Sequence, residues 1–195
     1  MKKRILLVSS CCFLAQIGFS QTAIASANGD NMGVPYGECD WETIQKTSCY
    51  ENEMAVFYDT YKVESRIASN MAMGCSNAFL GYQMKAVVYF AAWNNDSHEM
   101  LPAFIRFCEE LNDKFSFPIQ YTLVSVDRTL SSHDANYEEA HIHGVPTIQL
   151  HMEKISEGQV VDKVDLGEFT GELKEETWEA EIYMIFARYM KYRYR

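Results

Sequence analysis

The sequence predicts an α/β domain in which a central mixed β-sheet is flanked by helices on both faces, preceded by a helical N-terminal extension. Helical and strand-like segments alternate along the chain, an order typical of this class. The run 85–92 is apolar at nearly every position, as expected of a strand buried on both faces. With 195 residues, 48% of them hydrophobic, the chain is long enough for a core of this kind.

The first half of the chain is predicted to be mostly helical. Asp40 is a suitable N-cap for a helical turn that ends near Lys46. Apolar residues three and four positions apart predict a longer helix over 51–79, which Gly81 ends. The strand over 85–92 follows.

The second half of the chain alternates more regularly. Helices are predicted over 99–114 and 175–192, where apolar residues recur with helical spacing. Strands are predicted where β-branched and aromatic residues cluster, and a short helical stretch follows a polar loop. In order, these are strand 119–126, helical stretch 137–141, and strands 147–152 and 160–166 joined by a turn at Glu157-Gly158.

Residues 1–27 have the organisation of a secretory signal peptide. Basic residues 2–4 precede an apolar run over 5–19, and small residues at 23–27 fit an A-x-A cleavage rule. We therefore expect an exported protein, with the bacterial periplasm as its destination, and an extension over 28–50 ahead of a domain over 51–195. An uncleaved anchor is the alternative for the first segment, and no later segment is long enough to span a bilayer.

The net charge limits which kinds of binding partner are expected. The formal charge is −10, and an acidic surface repels phosphate backbones, so nucleic acid is not an expected partner. Histidines 98, 141 and 143 precede or flank two loops, but they lack the spacing of three or four converging metal ligands. We expect neither a metal nor another cofactor.

Several anchors between residues 50 and 192 resemble thioredoxin. The run VVYFAAW ends at Trp93, Pro102 lies in the following helix, and Asp127 closes the strand LVSVD. The segment Gly144-Val145-Pro146-Thr147 resembles the cis-proline loop of the family, and Gly167 after the last strand is a weaker match. The resemblance implies a thioredoxin-like fold and a cis Val145-Pro146 bond.

The chain departs from this family where the family carries its chemistry. The Cys-x-x-Cys motif is replaced by Asn94-Asn95-Asp96-Ser97. The family's buried aspartate and nearby lysine fall at Val88 and Leu123. Thiol–disulfide exchange needs an attacking thiolate and a resolving thiol, so this turn is predicted to be redox-inactive. Asp96 and Glu99 instead predict a capping box at the start of a helix.

The loop with Pro146 is the feature most suited to a retained function. In the family, the residue before this proline forms backbone hydrogen bonds with an extended partner segment, which is strand addition and needs no cysteine. We therefore predict a protein- or peptide-binding surface, more in keeping with a binding protein than an enzyme, formed by Trp93, Asn94, Ser97, Val145 and Pro146. A weaker alternative is hydrolysis by Ser97 with His98 or His143.

Of six cysteines, four lie beyond residue 27, which allows three pairings of two disulfides. Cys39 and Cys49 both lie in the extension, and a disulfide between them is the first expectation. Cys75 and Cys108 are predicted to be buried free thiols on helices packed on opposite faces of the sheet. The alternative function is a thiol–disulfide oxidoreductase or redox sensor that uses Cys39 and Cys49.

Overall fold

The computed structural model describes residues 31–137 and 141–193, so the predicted signal peptide and most of the predicted stretch at 137–141 lie outside the described residues. Within the described residues, the order from β2 onward is strand, helix, three strands and a final helix. The elements are β1 Gly37–Cys39, α1 Trp41–Ile44, a π-helical segment Tyr50–Met54, α2 Ala55–Thr60, α3 Ser65–Ala78, β2 Tyr82–Phe90, α4 Asn95–Phe115, β3 Ile119–Ser125, β4 Thr147–Ser156, β5 Gln159–Thr170 and α5 Trp178–Arg193.

The five strands form one mixed sheet in the order β1-β3-β2-β4-β5. Strands β2 and β3 run parallel and every other neighbouring pair runs antiparallel, which confirms the α/β class with a mixed sheet. Strands β4 and β5 extend beyond their predicted ends and form a hairpin whose turn residues, Glu157 and Gly158, both have positive φ. Two such residues match the right-handed twist of the flanking strands.

The helices pack against one face of the sheet, not both. Helices α2, α3 and α5 all contact α4, and α5 also lies against β5. Alternate residues of β2, including Met84 and Val88, point into the large core beneath these helices. Val87 and Tyr89 point to the other face, where loop residues cover them. Those apolar loop-covered residues make the strand resemble one buried by helices on both sides, so for the described residues the two-faced prediction is wrong.

The helix predicted over 51–79 is broken at 61–64. The cause is Glu179 in the first turn of α5, whose side chain is fully buried. Its carboxylate accepts hydrogen bonds from the Tyr61 hydroxyl and, at 2.6 Å, from the backbone N–H of Glu64. Burial and the bond to this carboxylate raise the pKa of Tyr61. The segment 61–64 is thereby held extended between α2 and α3.

The two long helices match their predicted burial. Pro102 lies inside the 21-residue helix α4, whose apolar stripe faces the core. In α5, Trp178, Ile182, Ile185 and Phe186 are buried. No helix of the described part of the chain is long and apolar enough to cross a membrane.

Candidate functional site

The turn between β2 and α4 is closed by Asn94. Its backbone is extended, and its Oδ1 accepts hydrogen bonds from the Ser97 N–H at 2.7 Å and from the Ser97 hydroxyl at 2.9 Å. Helix α4 therefore begins at Asn95, and the predicted cap by Asp96 is wrong. The residue directly before a helix has an extended backbone, which directs its side chain onto the free N–H groups of the first turn. Asn94 occupies this N-cap position, whereas Asp96 already lies inside the helix.

Ser97 is fully buried beneath this turn. Its Oγ also accepts a hydrogen bond from the Ala91 N–H at 3.3 Å. The hydroxyl thus holds the end of β2 against the start of α4. It is not placed to attack a substrate or to contact a partner, although the sequence predicts it in the binding surface.

His98 is turned away from Ser97. Its Nε2 lies 2.8 Å from the Ala92 carbonyl oxygen, and its Nδ1 lies 3.9 Å from a Glu53 carboxylate oxygen. The thiol of Cys49 approaches the same Ala92 carbonyl at 4.0 Å. These contacts attach the N-terminal segment to the turn. They provide no serine–histidine pair, so the geometry does not favour the hydrolytic alternative.

The loop before β4 contains the cis peptide bond between Val145 and Pro146 that the resemblance implies. The Pro146 carbonyl accepts a hydrogen bond from the Gly171 N–H at 2.9 Å. The Thr147 hydroxyl donates to the Gly144 carbonyl at 2.8 Å and lies 2.9 Å from the Thr170 hydroxyl. The loop is therefore held against the end of β5.

Trp93 and Val145 belong to one apolar cluster, together with Tyr89. The Trp93 indole and Ile142 are half-buried, whereas Val145 and Pro146 are buried. The accessible area is consequently narrower than the predicted patch. We use the term Trp93–Val145 surface for the area formed by Trp93, Asn94, Ile142 and Gly144, which the buried Val145 borders.

Two further features of this surface bear on binding. The guanidinium of Arg128 lies 5.2 Å from the centre of the Trp93 ring, a cation–π distance that fixes the indole. Within residues 31–137 and 141–193, no hydrogen bond joins the backbone N–H or C=O of Val145 to another residue. Strand addition uses unpaired peptide groups of this kind, and the partly exposed Trp93 indole belongs to the same apolar cluster as Val145.

The positions that correspond to the family's charged pair are apolar. Val88 and Leu123 are register partners on β2 and β3, and both are buried in the core. A charged group in this position would have to be taken out of water without a partner. The interior behind the turn therefore contains no group that titrates for thiol chemistry at these two positions.

The four described cysteines are all free and buried, so the predicted Cys39–Cys49 disulfide is not formed in the structure. The two thiols have different environments: the Cys39 Sγ lies 3.9 Å from the Leu123 carbonyl, on β3, and Cys49 faces Ala92. Burial raises the pKa of Cys39 to about 12 and that of Cys49 to about 11. Buried neutral thiols are poor nucleophiles, which does not favour the redox alternative.

Cys75 and Cys108 are buried free thiols, as predicted, but not on opposite faces of the sheet. They lie on α3 and α4, which pack against each other. Burial raises the pKa of Cys75 to about 12 and also raises that of Cys108. These thiols fill the core.

No three His, Cys, Asp or Glu side chains within the described ranges are arranged to hold a metal ion. Asp127, which follows β3, accepts hydrogen bonds from the N–H groups of Thr129 and Ser131 and pairs with His133 at 2.8 Å. These bonds outweigh the effect of burial and lower the pKa of Asp127. Asp127 therefore organises its own loop.

The sequence analysis missed a polar cavity on the helix-free face of the sheet. It has a volume of about 340 Å³ and is lined by Lys85, His151 and Glu153, among others. The Glu153 carboxylate lies 3.5 Å from the Lys85 ammonium and 3.1 Å from His151 Nε2. Polar residues at alternate positions of β2 and β4 could have indicated this cavity, because alternation places them on one face of each strand. Lys85 and His151 share that face as register partners.

No protein-family model, no curated protein and no solved structure matches this chain. The fold and the site therefore define a class only. The chain is an α/β protein with a mixed five-stranded sheet, in which the turn before α4 and the cis-proline loop adjoin through a shared apolar cluster.

Proposed function

We propose that this is an exported, thioredoxin-like protein that lacks dithiol chemistry and binds an extended segment of a protein partner at the Trp93–Val145 surface. The observation that carries the proposal is the Val145 peptide group, which bonds to no other described residue and lies in one cluster with the partly exposed Trp93. Backbone pairing provides affinity in strand addition, and a neighbouring pocket or ring selects the side chains.

The turn itself supports binding over catalysis. In a dithiol enzyme, the N–H groups at the start of the helix stabilise a thiolate. Here the Asn94 amide already accepts from the N–H of Ser97, and the neighbouring hydroxyl is buried. Trp93 remains the large accessible side chain of the turn, and tryptophan is among the residues that most often dominate binding energy.

The resemblance to thioredoxin is part of this proposal. It is supported by the α/β class, by Pro102 inside the helix that follows Trp93, and by the loop with Pro146 before β4. Export is supported by the organisation of residues 1–27.

The test is a selection of binding peptides followed by affinity measurement. The mature protein is panned against a random linear peptide library, and the selected peptides are titrated into the protein and into two variants. Trp93→Ala should weaken binding at least tenfold, since a buried aromatic contact contributes about 2 kcal/mol or more. Val56→Ser, an exposed position on α2, is the matched control and should bind like the parent.

A disulfide-reductase assay completes the test. The proposal predicts no turnover by the parent protein. Peptides that bind Trp93→Ala as well as the parent, or reductase turnover by the parent, would contradict it.

A further inference from the structure

The cavity on the helix-free face of the sheet is formed by three neighbouring strands. Its volume of about 340 Å³ lies at the low end of the range for small-molecule sites, which is about 300–1,000 Å³. The side chains that line it from β2, β3 and β4 are Lys85, Val87, Gln120, Thr122, His151 and Glu153. We call this space the Lys85–Glu153 cavity. Its size suits a ligand of few atoms.

Two side chains of opposite charge lie in this cavity, and both are largely removed from water. The side chain of Lys85 is 30% exposed and that of Glu153 is 15% exposed. The ammonium and the carboxylate are 3.5 Å apart, which is longer than a charge-assisted hydrogen bond of about 2.8 Å. Among the described residues, Lys85 has no other polar partner. Each of the two ions therefore keeps hydrogen-bonding capacity for a ligand.

His151 holds the Glu153 carboxylate without adding a charge. Burial and, next to it, the positive charge of Lys163 lower the pKa of His151, so its imidazole is neutral at neutral pH. The Nε2 atom of His151 lies 3.1 Å from Oε1 of Glu153, and in the neutral ring it donates to that oxygen. The lining of the cavity thus carries one positive and one negative charge.

The charges beside the cavity are of both signs as well. On β5, Lys163 and Asp165 are the register partners of Glu153 and His151 and lie on the same face. Glu168, the remaining charged residue on this face of β5, accepts a hydrogen bond from the side-chain amide of Gln149 at 3.2 Å. A ligand with a single charge would be attracted by one of these groups and repelled by its neighbour, whereas a zwitterion can pair with both signs.

From this combination we infer that the Lys85–Glu153 cavity binds a free α-amino acid. The carboxylate of the ligand accepts hydrogen bonds from the Lys85 ammonium and the Gln120 amide, and its ammonium donates to Glu153. An α-amino acid carries both charges on one carbon atom, which matches the close approach of Lys85 and Glu153. An aliphatic side chain of the ligand contacts Val87, the half-buried apolar residue of the lining.

This inference is independent of the proposed peptide-binding site. Lys85 lies near the start of β2, whereas Trp93 lies beyond its end.

The test is isothermal titration calorimetry of the mature protein with each of the standard L-amino acids. We expect aliphatic amino acids to bind most tightly. The amino acid that binds best is then compared with its N-acetyl form, which lacks the ammonium, and with its amide, which lacks the carboxylate. Each blocked form should bind at least about tenfold more weakly, because one charged group of the cavity then loses its partner.

The variants Lys85→Gln and Glu153→Gln should each weaken binding of the free amino acid by about tenfold or more. Lys62→Gln is the matched control, since Lys62 is exposed in the segment between α2 and α3, and it should bind like the parent. Circular dichroism melts verify that each variant is folded, and the comparison of free and blocked amino acids on the parent protein depends on no variant. The inference would be overturned if no amino acid bound at about 10 mM, if either blocked form bound as well as the free amino acid, or if the control lost as much affinity as Lys85→Gln.

Discussion

Replacing Asn94 with alanine tests whether this residue closes the turn at the start of α4. The amide oxygen accepts two hydrogen bonds from Ser97, one from the backbone N–H and one from the hydroxyl. Loss of an N-cap lowers the free energy of unfolding by about 1 kcal/mol. The Ser97 hydroxyl is fully buried and loses its acceptor, which adds about 1 kcal/mol.

The assay is urea unfolding followed by far-UV circular dichroism, with Asp96→Ala and Asn94→Asp as comparison variants. Asn94→Ala should lower the free energy of unfolding by about 2 kcal/mol. Asp96→Ala should change it by less than about 0.5 kcal/mol, because Asp96 is not the cap, and Asn94→Asp should retain most of the stability. A larger loss for Asp96→Ala than for Asn94→Ala would refute the assignment and restore the capping box predicted from the sequence.

Three other changes test separate parts of the structure. The double variant Asn94→Cys/Ser97→Cys places two thiols where the present side chains are in contact. It should form a disulfide and gain the reductase activity that we expect the parent to lack. Continued inactivity of a folded, oxidised variant would count against the thioredoxin-like proposal. The Cys49 thiol, with its pKa raised to about 11, should react with a maleimide reagent only after unfolding at neutral pH. The Cys49 thiol stays neutral in the folded protein but ionises near pH 9 in the unfolded chain. Its contribution to the free energy of unfolding is therefore full below pH 9 and should be lost as pH rises through 11. A melting temperature of the protein that does not change with pH over this range would contradict this. Glu179→Ala removes the acceptor of the Tyr61 hydroxyl and should lower the free energy of unfolding by about 2 kcal/mol in urea, whereas a change below about 0.5 kcal/mol would show that Glu179 does not hold the break between α2 and α3.

The features predicted correctly from the sequence depend on neighbouring residues. The turn at Glu157-Gly158 and the apolar stripe of α5, including Ile182, are visible within a few positions of the chain. The cis bond before Pro146 was implied by a short motif rather than by periodicity. Such features need no knowledge of what packs against them.

The features that were missed depend on residues distant in the chain. Glu179 ends α2 from 118 positions away from Tyr61, and no pattern near Tyr61 indicates it. An apolar run such as that of β2 does not reveal whether a helix or a loop covers Val87. Asn94 and Asp96 are close in the chain and either residue type can cap a helix. The backbone conformation determines that Asn94 is the N-cap, and residue type alone does not specify that conformation.

The measurement that tests the central claim most directly is amide chemical-shift mapping of the isotopically labelled protein with a selected peptide. We predict that the shifts concentrate at Trp93, Asn94, Gly144 and Val145, with the Trp93 indole N–H among them. Shifts confined to the β4–β5 hairpin or to the cavity around Lys85 and His151 would show that the partner binds elsewhere, and would contradict the account.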